Sequence, residues 1–554
     1  MAKTAAITQI DFSGGMNTSI EVTGIAANQY AFLRNGRTRR LSVKPIKLPK
    51  LLTSVGLPSE GKRQGIYALG NYLLVFVAGK AYYLDLKLEE LYFQEINNFQ
   101  LDAEVDKIYA VAVPAGSGTF ARKLIAEESI KKEVNLASPI SGHQAAIVCQ
   151  DGINQPFAIF ADGSARRLQT YAEWTEEQRE YVPIGRQMAV SDNILFIVAP
   201  DGRTILRSLR GRQLDFVIKI DSDGNKAGDA YTTSHTVGYN TITAISKVQG
   251  NPDIKLMVCS QTSTDIMTVR TDTDFFGEYA FANVTVLPTG AKNQESVFAD
   301  LGDMMFIDQL GVRSFNATKQ ILTESNNDVF SNNVSNLFAV DEDKSLAQDI
   351  TAVGSFANYI QFAVKTVYGY GVLIYDINTK AFVAFDQYPD VDSIKQFAEA
   401  KVGNTYRCFF LTSSGDIYEH YVGDVATVTF VPKGLTSDDA AKQINDIIFH
   451  AQFSNIVKSG IVQATALLDR AAYDLGPRNV VTSLQASAVD LFPLNTDKTN
   501  VPFPTTFNAK GKPAAFSVTC RYTWNFVGEL LSSTISGNIV ETNVSYPQKG
   551  SLLS

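Results

Sequence analysis

The chain has 554 residues, with 49 Lys and Arg against 57 Asp and Glu, which gives a formal net charge of −8. Hydrophobic residues make up 45% and charged residues 19%, a balance typical of folded proteins that excludes an intrinsically disordered chain. The acidic excess argues against a protein that holds nucleic acid by its phosphates, because such binding requires a basic face. It leaves open a protein that DNA merely passes.

Cysteine usage and hydropathy predict a protein made in a reducing cytoplasm. The four cysteines lie far apart in apolar, β-like runs, as small buried side chains do, and are too few for a disulfide framework. No apolar run approaches the ~20 residues that cross a bilayer, so we expect no membrane insertion. The first residues lack the apolar region of a secretory signal.

Residues 1–50 have a different pattern from the rest of the chain. Their apolar residues follow no period of 2 or 3.6 and are interspersed with glycines, which predicts an extended arm that lies on another surface. A frayed basic N-terminus is the alternative. The basic residues of this segment are Arg34, Arg37, Arg39, Arg40, Lys44 and Lys47.

From Gly65 to about Tyr421 one hairpin pattern recurs. A polar turn residue is followed by an apolar strand, a glycine-bearing turn and a second apolar or aromatic strand. Turns such as Asp201-Gly202 and Ser414-Gly415 supply the positive φ that tight hairpins need. The seven copies begin near Asn71, Ala146, Asn193, Asp253, Gly302, Asn358 and Asn404.

The spacing of these copies predicts the fold class. The later copies are about 45 to 60 residues apart, a length that holds four short strands with their turns. We therefore predict an all-β protein with a six- or seven-bladed β-propeller over residues 51–430. A parallel β-solenoid would need a shorter repeat, and a chain of two or three β-sandwiches is a further alternative. A helical pattern at 119–136 is expected to be an insertion between blades.

After residue 430 the pattern changes again. The β-like alternation of residues such as 515–526 predicts a separate β-rich platform domain over 431–554. The three predicted domains are therefore an extended N-terminal assembly arm at 1–50, a propeller at 51–430 and a platform at 431–554.

The sequence contains no recognisable catalytic or metal-binding motif. The four histidines are not at metal-ligand spacing from one another or from a cysteine, and no HExxH, CxxC or GxSxG occurs. Asp221, Asp223 and Asn225 resemble half of a calcium loop, but the glycine is misplaced and Thr232 replaces the bidentate glutamate, which favours a polar turn. We expect no enzyme activity, no cofactor and no metal.

Two parts of the chain resemble a known family. Phe12-Ser-Gly-Gly-Met-Asn17, the Asn-bearing stretch at 27–36 and the basic residues before Pro45 resemble the opening of tail hub, or nozzle, proteins of short-tailed bacteriophages. Residues 311–316 and 372–388 resemble blade hairpins of the same group. The resemblance implies an assembly arm that contains Phe12, Gly14, Gly15, Asn17, Asn28, Arg34, Arg37, Arg39 and Arg40.

The resemblance also implies a function. Such a subunit would form a homohexameric ring in the virion tail, bound to other tail and adaptor proteins. Its channel would retain the packaged genome and conduct DNA during ejection, without sequence-specific binding. An acidic conduit would let DNA slide, since it repels phosphates. We expect the basic arm to dock onto a neighbouring subunit or adaptor, and its deletion to leave a folded monomer that fails to join tails.

Two other classes of function remain open. A host-receptor- or glycan-binding propeller would carry aromatic pockets repeated once per blade. A tail-borne polysaccharide hydrolase would place two carboxylates ~5–10 Å apart across a cleft, from distant strands that the sequence cannot identify.

Overall fold

The structure is a computed structural model in which the described elements are strands and two short 3-10 helices, Gln294–Ser296 and Asn332–Leu337. The prediction of an all-β protein is confirmed. The predicted helical insertion at 119–136 and the polar turn at 221–225 lie outside the described residues. Those residues are 4–39, 41–116, 143–175, 178, 180–209, 211–217, 231–233, 241–247, 254–273, 279–300, 303–307, 312–314, 331–341, 344–345, 352–435, 440–453, 459–469, 471–481 and 503–540.

The N-terminal segment, residues 4–51, contains seven short strands. They are β1 Thr4–Gln9, β2 Gly15–Met16, β3 Gln29–Tyr30, β4 Phe32–Arg34, β5 Gly36–Arg39, β6 Ser42–Pro45 and β7 Lys50–Leu51.

Seven antiparallel sheets follow, built from strands that are consecutive in the sequence. The first is β8 Arg63–Leu69, β9 Tyr72–Val77, β10 Lys80–Asp85 and β11 Gln94–Glu95, and the second is β12 Tyr109–Val113, β13 Ala146–Gln150, β14 Phe157–Phe160 and β15 Ala165–Arg167. The third is β16 Met188–Ser191, β17 Ile194–Val198, β18 Ile205–Arg207 and β19 Tyr231–Thr233, and the fourth is β20 Ala244–Ser246, β21 Ile254–Cys259, β22 Thr264–Thr273 and β23 Tyr279–Leu287.

The remaining three sheets complete the series. The fifth is β24 Val297–Asp300, β25 Asp303–Ile307 and β26 Val312–Ser314, after which β27 Ala339–Asp341 and β28 Lys344–Ser345 pair separately. The sixth is β29 Ala352–Phe356, β30 Tyr359–Thr366, β31 Gly369–Asp376 and β32 Ala381–Asp386, and the seventh is β33 Ile394–Val402, β34 Thr405–Thr412 and β35 Ile417–Glu419, to which β7 is added.

The first strands of these sheets form a closed ring. The first strand of each sheet contacts the first strand of the next sheet, in the order β8, β12, β16, β20, β24, β29 and β33. The contact of β33 with β8 closes the ring. The second strands β9 and β17 are buried along almost their whole length, because each sheet packs against a neighbour on both faces. This accounts for their continuous apolar sequences. We call this part the seven-sheet ring.

The hairpins of the ring follow local turn chemistry. Asp192 and Asn193, between β16 and β17, both have positive φ (52° and 59°), which is the geometry of a type I′ turn. The ring closes through the N-terminal segment, since Leu51 and Lys50 of β7 pair with Tyr418 and Glu419 of β35. The outermost strand of the seventh sheet therefore precedes the first sheet in sequence.

The last strands build a second unit, which we call the terminal sandwich. Its strands are β36 Val428–Val431, β37 Ala441–Phe453, β38 Ser459–Leu468, β39 Ala471–Val481, β40 Phe503–Asn508, β41 Val518–Trp524 and β42 Gly528–Val540. One sheet contains β40, β37, β42, β6 and β5, with β1 also paired to β42. The other contains β4, β36, β41, β38 and β39 and continues from β32 of the ring.

The core of the terminal sandwich lies between these two sheets. Trp524 and Tyr522 of one sheet face Phe449 of the other, with ring centroids 5.3 Å and 5.1 Å from that of Phe449. The seventh sheet of the ring ends at Glu419 and β36 begins at Val428. In space, however, the sandwich also contains N-terminal strands, so it is discontinuous in sequence.

Candidate functional site at the N-terminal junction

The surface on which the N-terminal segment lies belongs to its own chain. Strand β1 pairs with β42, β4 lies between β32 and β36, and β7 pairs with β35. Ile20 is 49% exposed, but other apolar residues that showed no period in the sequence are buried there: Phe12, Met16, Tyr30, Leu33 and Val43. Their partners are distant in sequence, and so no local periodicity was required.

Phe12 is an anchor of this junction. Its ring is fully buried and packs edge-on against Phe430, with ring centroids 5.6 Å apart. Tyr30 lies beside it and donates a hydrogen bond from its hydroxyl to the carbonyl of Val383, at 2.7 Å. These contacts join the N-terminal segment to both β36 and the sixth sheet.

The two glycines of the motif allow a close approach of backbones. Gly15 has φ of +76°, and a Cβ there would lie 2.7 Å from the carbonyl oxygen of Phe382. A Cβ on Gly14 would lie 2.6 Å from the side-chain Oδ1 of Asn28. The backbone carbonyl of Asn28 accepts a hydrogen bond from the Gly14 amide at 2.9 Å. The amide of Asn17 donates to the carbonyl of Tyr30 at 2.9 Å. The Phe-x-Gly-Gly-x-Asn motif therefore fixes a tight loop against β32.

Three basic residues of the segment, Arg34, Arg37 and Lys44, have intramolecular side-chain partners, whereas Lys47 is exposed. Arg34 donates to Gln387 at 3.2 Å and to Thr429 at 3.0 Å. Arg37 and Lys44 form ion pairs with Asp386 and Glu529 respectively. Arg39 lies in β5 but its side chain is not described, and Arg40 lies outside the described residues. Arg34, Arg37 and Lys44 therefore make contacts within the chain, and docking of the basic segment onto a neighbouring subunit or adaptor stays a prediction.

Arg37 is the centre of a buried polar cluster. Its Nη1 and Nη2 donate to the two carboxylate oxygens of Asp386 at 2.8 Å and 2.5 Å, and Asp386 is fully buried. The hydroxyl of Tyr421 accepts from Arg37 and donates to Asp386 at 3.1 Å. The hydroxyl of Tyr388 contacts Nε2 of His420, whose ring stacks on Tyr421 at 3.7 Å. The cluster joins β5, β32 and the segment after β35.

The electrostatics of the cluster favour a stable ion pair between Arg37 and Asp386. Burial alone would lower the pKa of Arg37, but the charge of Asp386 raises it above its ordinary value. Burial, and then the charge of Arg37, lower the pKa of His420 well below 6.5, so this imidazole is neutral at pH 7. Sequence reasoning found Arg37 but not its partners. The sequence feature that could have indicated a partner for Arg37 is Asp386, a single acidic residue at the end of an apolar strand.

Side chains also meet at the axis of the seven-sheet ring. Lys107, just before β12, forms an ion pair with Glu295, just before β24, and its ammonium lies 5.0 Å from the ring centroid of Tyr109. The second and fifth sheets lie on opposite sides of the ring, so this pair crosses its centre. Burial, and then the charge of Lys395, lower the pKa of Lys107 to about 7. The ring is therefore not an open pore at this level.

A pocket of about 430 Å³ lies between the first and second sheets. Tyr72 and Tyr83 line it and form an edge-to-face pair with ring centroids 6.0 Å apart. Most other lining residues are apolar, and Asp162 contributes a carboxylate whose Oδ1 accepts from Ser164. Such a lining suits apolar or stacking contacts more than acid–base chemistry.

Within the described part of the chain, no group of three or more His, Cys, Asp and Glu is placed to hold a metal ion. The four cysteines are free and buried, and burial raises the pKa of Cys259 and Cys520 to about 12, which makes both thiols poor nucleophiles. No helix among the described residues is both long enough and apolar enough to span a membrane.

Comparisons with known proteins give little further information. No family model matches the chain, and no curated protein matches it. Among solved structures, the chain is similar to the crystal structure of BBS1N in complex with ARL6DN, soaked with mercury. That match has 12% identity and a TM-score of 0.36, and it covers 68% of this chain and 97% of that chain. A likeness this distant carries no argument, so the fold rests on the chain's own strand pairing.

Proposed function

We propose that the seven-sheet ring is a seven-bladed β-propeller and that the terminal sandwich is its platform. The cyclic contacts of the first strands support this proposal, as does the outer strand that β7 adds to the seventh sheet. In a propeller, closure by a strand from the other end of the chain holds the first and last blades together. Such a body has only short, protected sheet edges and is rigid.

We further propose that the protein is a structural subunit of a bacteriophage tail hub or nozzle. In this role a homohexameric ring retains the packaged genome and conducts it during ejection. The observation that carries the proposal is the position of the resembling motif. The junction between platform and propeller is held by Phe12, Gly14, Gly15 and Asn17. The way in which the two units pack there depends on the residue types at these positions. The motif thus has a structural role within the subunit, as we expect for the opening segment of a hub protein.

The closed axis restricts where DNA could pass. Since Lys107 and Glu295 cross the centre of the propeller, the genome would pass between subunits and not through each propeller. A passage therefore requires an oligomer, and the cyclic homohexamer supplies one through heterologous interfaces. Other tail and adaptor proteins would bind at its ends, in the virion.

The test is the assembly state of the full-length protein. We expect native mass spectrometry to give a mass of six chains of 60.6 kDa, and negative-stain images to show six-fold rings with a central opening. A protein that stays monomeric at micromolar concentration, alone and with tail extract, would refute the proposal.

A glycan-binding propeller is the second candidate, because the cavity between the first two sheets presents Tyr72, which is 41% exposed, beside Tyr83. Aromatic faces of this kind stack on sugar rings. Saturable binding of host glycan by a monomer, lost in Tyr72→Ala and retained in Tyr406→Ala, would favour this candidate. Degradation of the glycan would favour a hydrolase.

A further inference from the structure

One face of the terminal sandwich has an unusual chemistry. Strands β1, β42, β37 and β40 lie side by side, and their pairing register aligns the outward side chains in rows. In one row Thr8 pairs with Thr534, which pairs with Ile448, which pairs with Thr506. The inward side chains of the same strands, such as Ile447 and Ile535, belong to the core.

The outward side chains are mostly hydroxyls and amides. We call this surface, between Gln443 and His450 of β37 and across the three neighbouring strands, the hydroxyl face. Thr8 and Thr534 are joined through their Oγ1 atoms at 2.9 Å, and Thr8 and Thr506 are exposed. The hydroxyl groups belong to Thr4, Thr8, Thr506, Ser532, Thr534 and Ser536, and the amides to Gln443, Asn508 and Asn538.

The hydroxyl face is nearly free of formal charge. Asp446 is the one residue with a full charge that the register places on it. The chain as a whole is 19% charged, so a surface of this size would ordinarily carry several charges. The nearby Lys442 belongs to the inward set and is only 1% exposed, and Lys44 is paired with Glu529.

This chemistry fits a surface along which duplex DNA moves. Lysine and arginine would hold phosphates through counterion release, and a dense row of carboxylates would repel them. Hydroxyl and amide groups instead offer weak hydrogen bonds, direct or through water, that are nearly equivalent along the strands. A phosphate backbone can exchange one such partner for the next without a large barrier.

We propose that the hydroxyl face lines the DNA passage of the assembled ring. The inference rests on the proposed function, and it names double-stranded DNA as the partner and the platform as the wall. It differs from the sequence-based expectation of an acidic conduit, because the wall it assigns is close to neutral. A second copy of the chain packed on this face is the competing occupant.

Site-directed cleavage of DNA tests the assignment in the full-length protein. Because the four native cysteines are buried, a new surface cysteine can be labelled selectively with an iron chelate that cleaves nearby DNA. Thr8→Cys and Thr506→Cys place the label on the hydroxyl face. Thr405→Cys, an exposed threonine at the start of β34, is the matched control in the propeller.

The variants are assembled with a short linear duplex, and ring formation is measured first on each of them. We expect intact rings in all three and several-fold more strand cleavage from labels at 8 and 506 than from the label at 405. Equal or greater cleavage from 405 in intact rings would overturn the inference and leave the proposed function standing.

Two further outcomes would also overturn it. Loss of labelling at 8 and 506 when monomers become rings would identify the face as a subunit interface. If neither wild type nor variants form rings, the proposed function fails first and the inference fails with it, which separates the two failures.

Discussion

The seven-sheet ring and the terminal sandwich are both built of β-strands, but the strands that pair in them are separated by very different numbers of residues along the sequence. In the ring, neighbouring strands such as β16 and β17 are joined by a two-residue turn. In the sandwich, β1 at residues 4–9 pairs with residues 533–538 of β42. Local hairpins can form early, whereas pairing of distant segments must first overcome the entropy of closing a long loop. The sandwich therefore depends on both ends of the chain at once.

Deletion of residues 1–50 is the strongest test of this difference. It removes β1 and β4–β6 from the sandwich and Lys50, one of the two residues of β7, from the ring, and it opens the core around Tyr522 and Trp524. The structure thus leads to the opposite of the sequence-based expectation of a folded monomer. We expect aggregation, or rapid proteolysis of residues 428–540, measured by limited proteolysis with mass spectrometry. A deletion variant that is monodisperse and melts like the wild type would contradict the dependence.

The Arg37–Asp386 pair tests how the two units are locked together. Asp386→Leu leaves a guanidinium buried without its carboxylate, and removal of one partner of a buried pair costs about 3–5 kcal/mol. The double variant Arg37→Met/Asp386→Leu is expected to recover most of this loss, because both charges are gone. Urea unfolding of the full-length protein checks both values.

The control for this cycle is Arg167→Met/Glu173→Leu, a pair in which both side chains are about half exposed. Exposed ion pairs contribute about 0–1 kcal/mol, so neither Arg167→Met nor Glu173→Leu should alter the unfolding free energy by much. Equal effects at both pairs would show that burial at the junction has no special role.

Sequence reasoning could predict the ring better than the junction, for a physical reason. Hairpin turns and apolar strands leave a local pattern, so the recurring units near Asn71, Asn193 and Asn404 each correspond to strands of the ring. The partners of Arg37 leave none, because the cluster assembles from three remote segments. The outward rows of the hydroxyl face likewise depend on register between remote strands, such as that which pairs Thr8 with Thr534, 526 residues away.

The loop at Gly15 tests the junction more gently. Gly15→Ala combines a positive φ of +76° with a Cβ only 2.6 Å from that of Ala381, and we expect a loss of about 1–3 kcal/mol in unfolding free energy. Gly163→Ala, on a ring hairpin, has a similar φ of +80° with nothing within 4 Å. Gly163→Ala adds only the backbone strain of a positive φ, so its loss of unfolding free energy should be smaller than that of Gly15→Ala. Equal losses from the two variants would mean that the close approach to β32 does not matter.

The smallest expected effect is at the ring axis, and it depends on pH. Burial and the charge of Lys395 already lower the pKa of Lys107 to about 7, and in Glu295→Gln its ammonium also loses its carboxylate partner, so its pKa should fall further below the value in the unfolded chain. Between these two pKa values the unfolded state binds the extra proton, so raising the pH stabilises the folded variant. We therefore expect the deficit of Glu295→Gln relative to wild type to be larger at pH 7 than at pH 9. Urea unfolding at both pH values measures it, and a deficit that is independent of pH would show that the Lys107 ammonium is already well solvated.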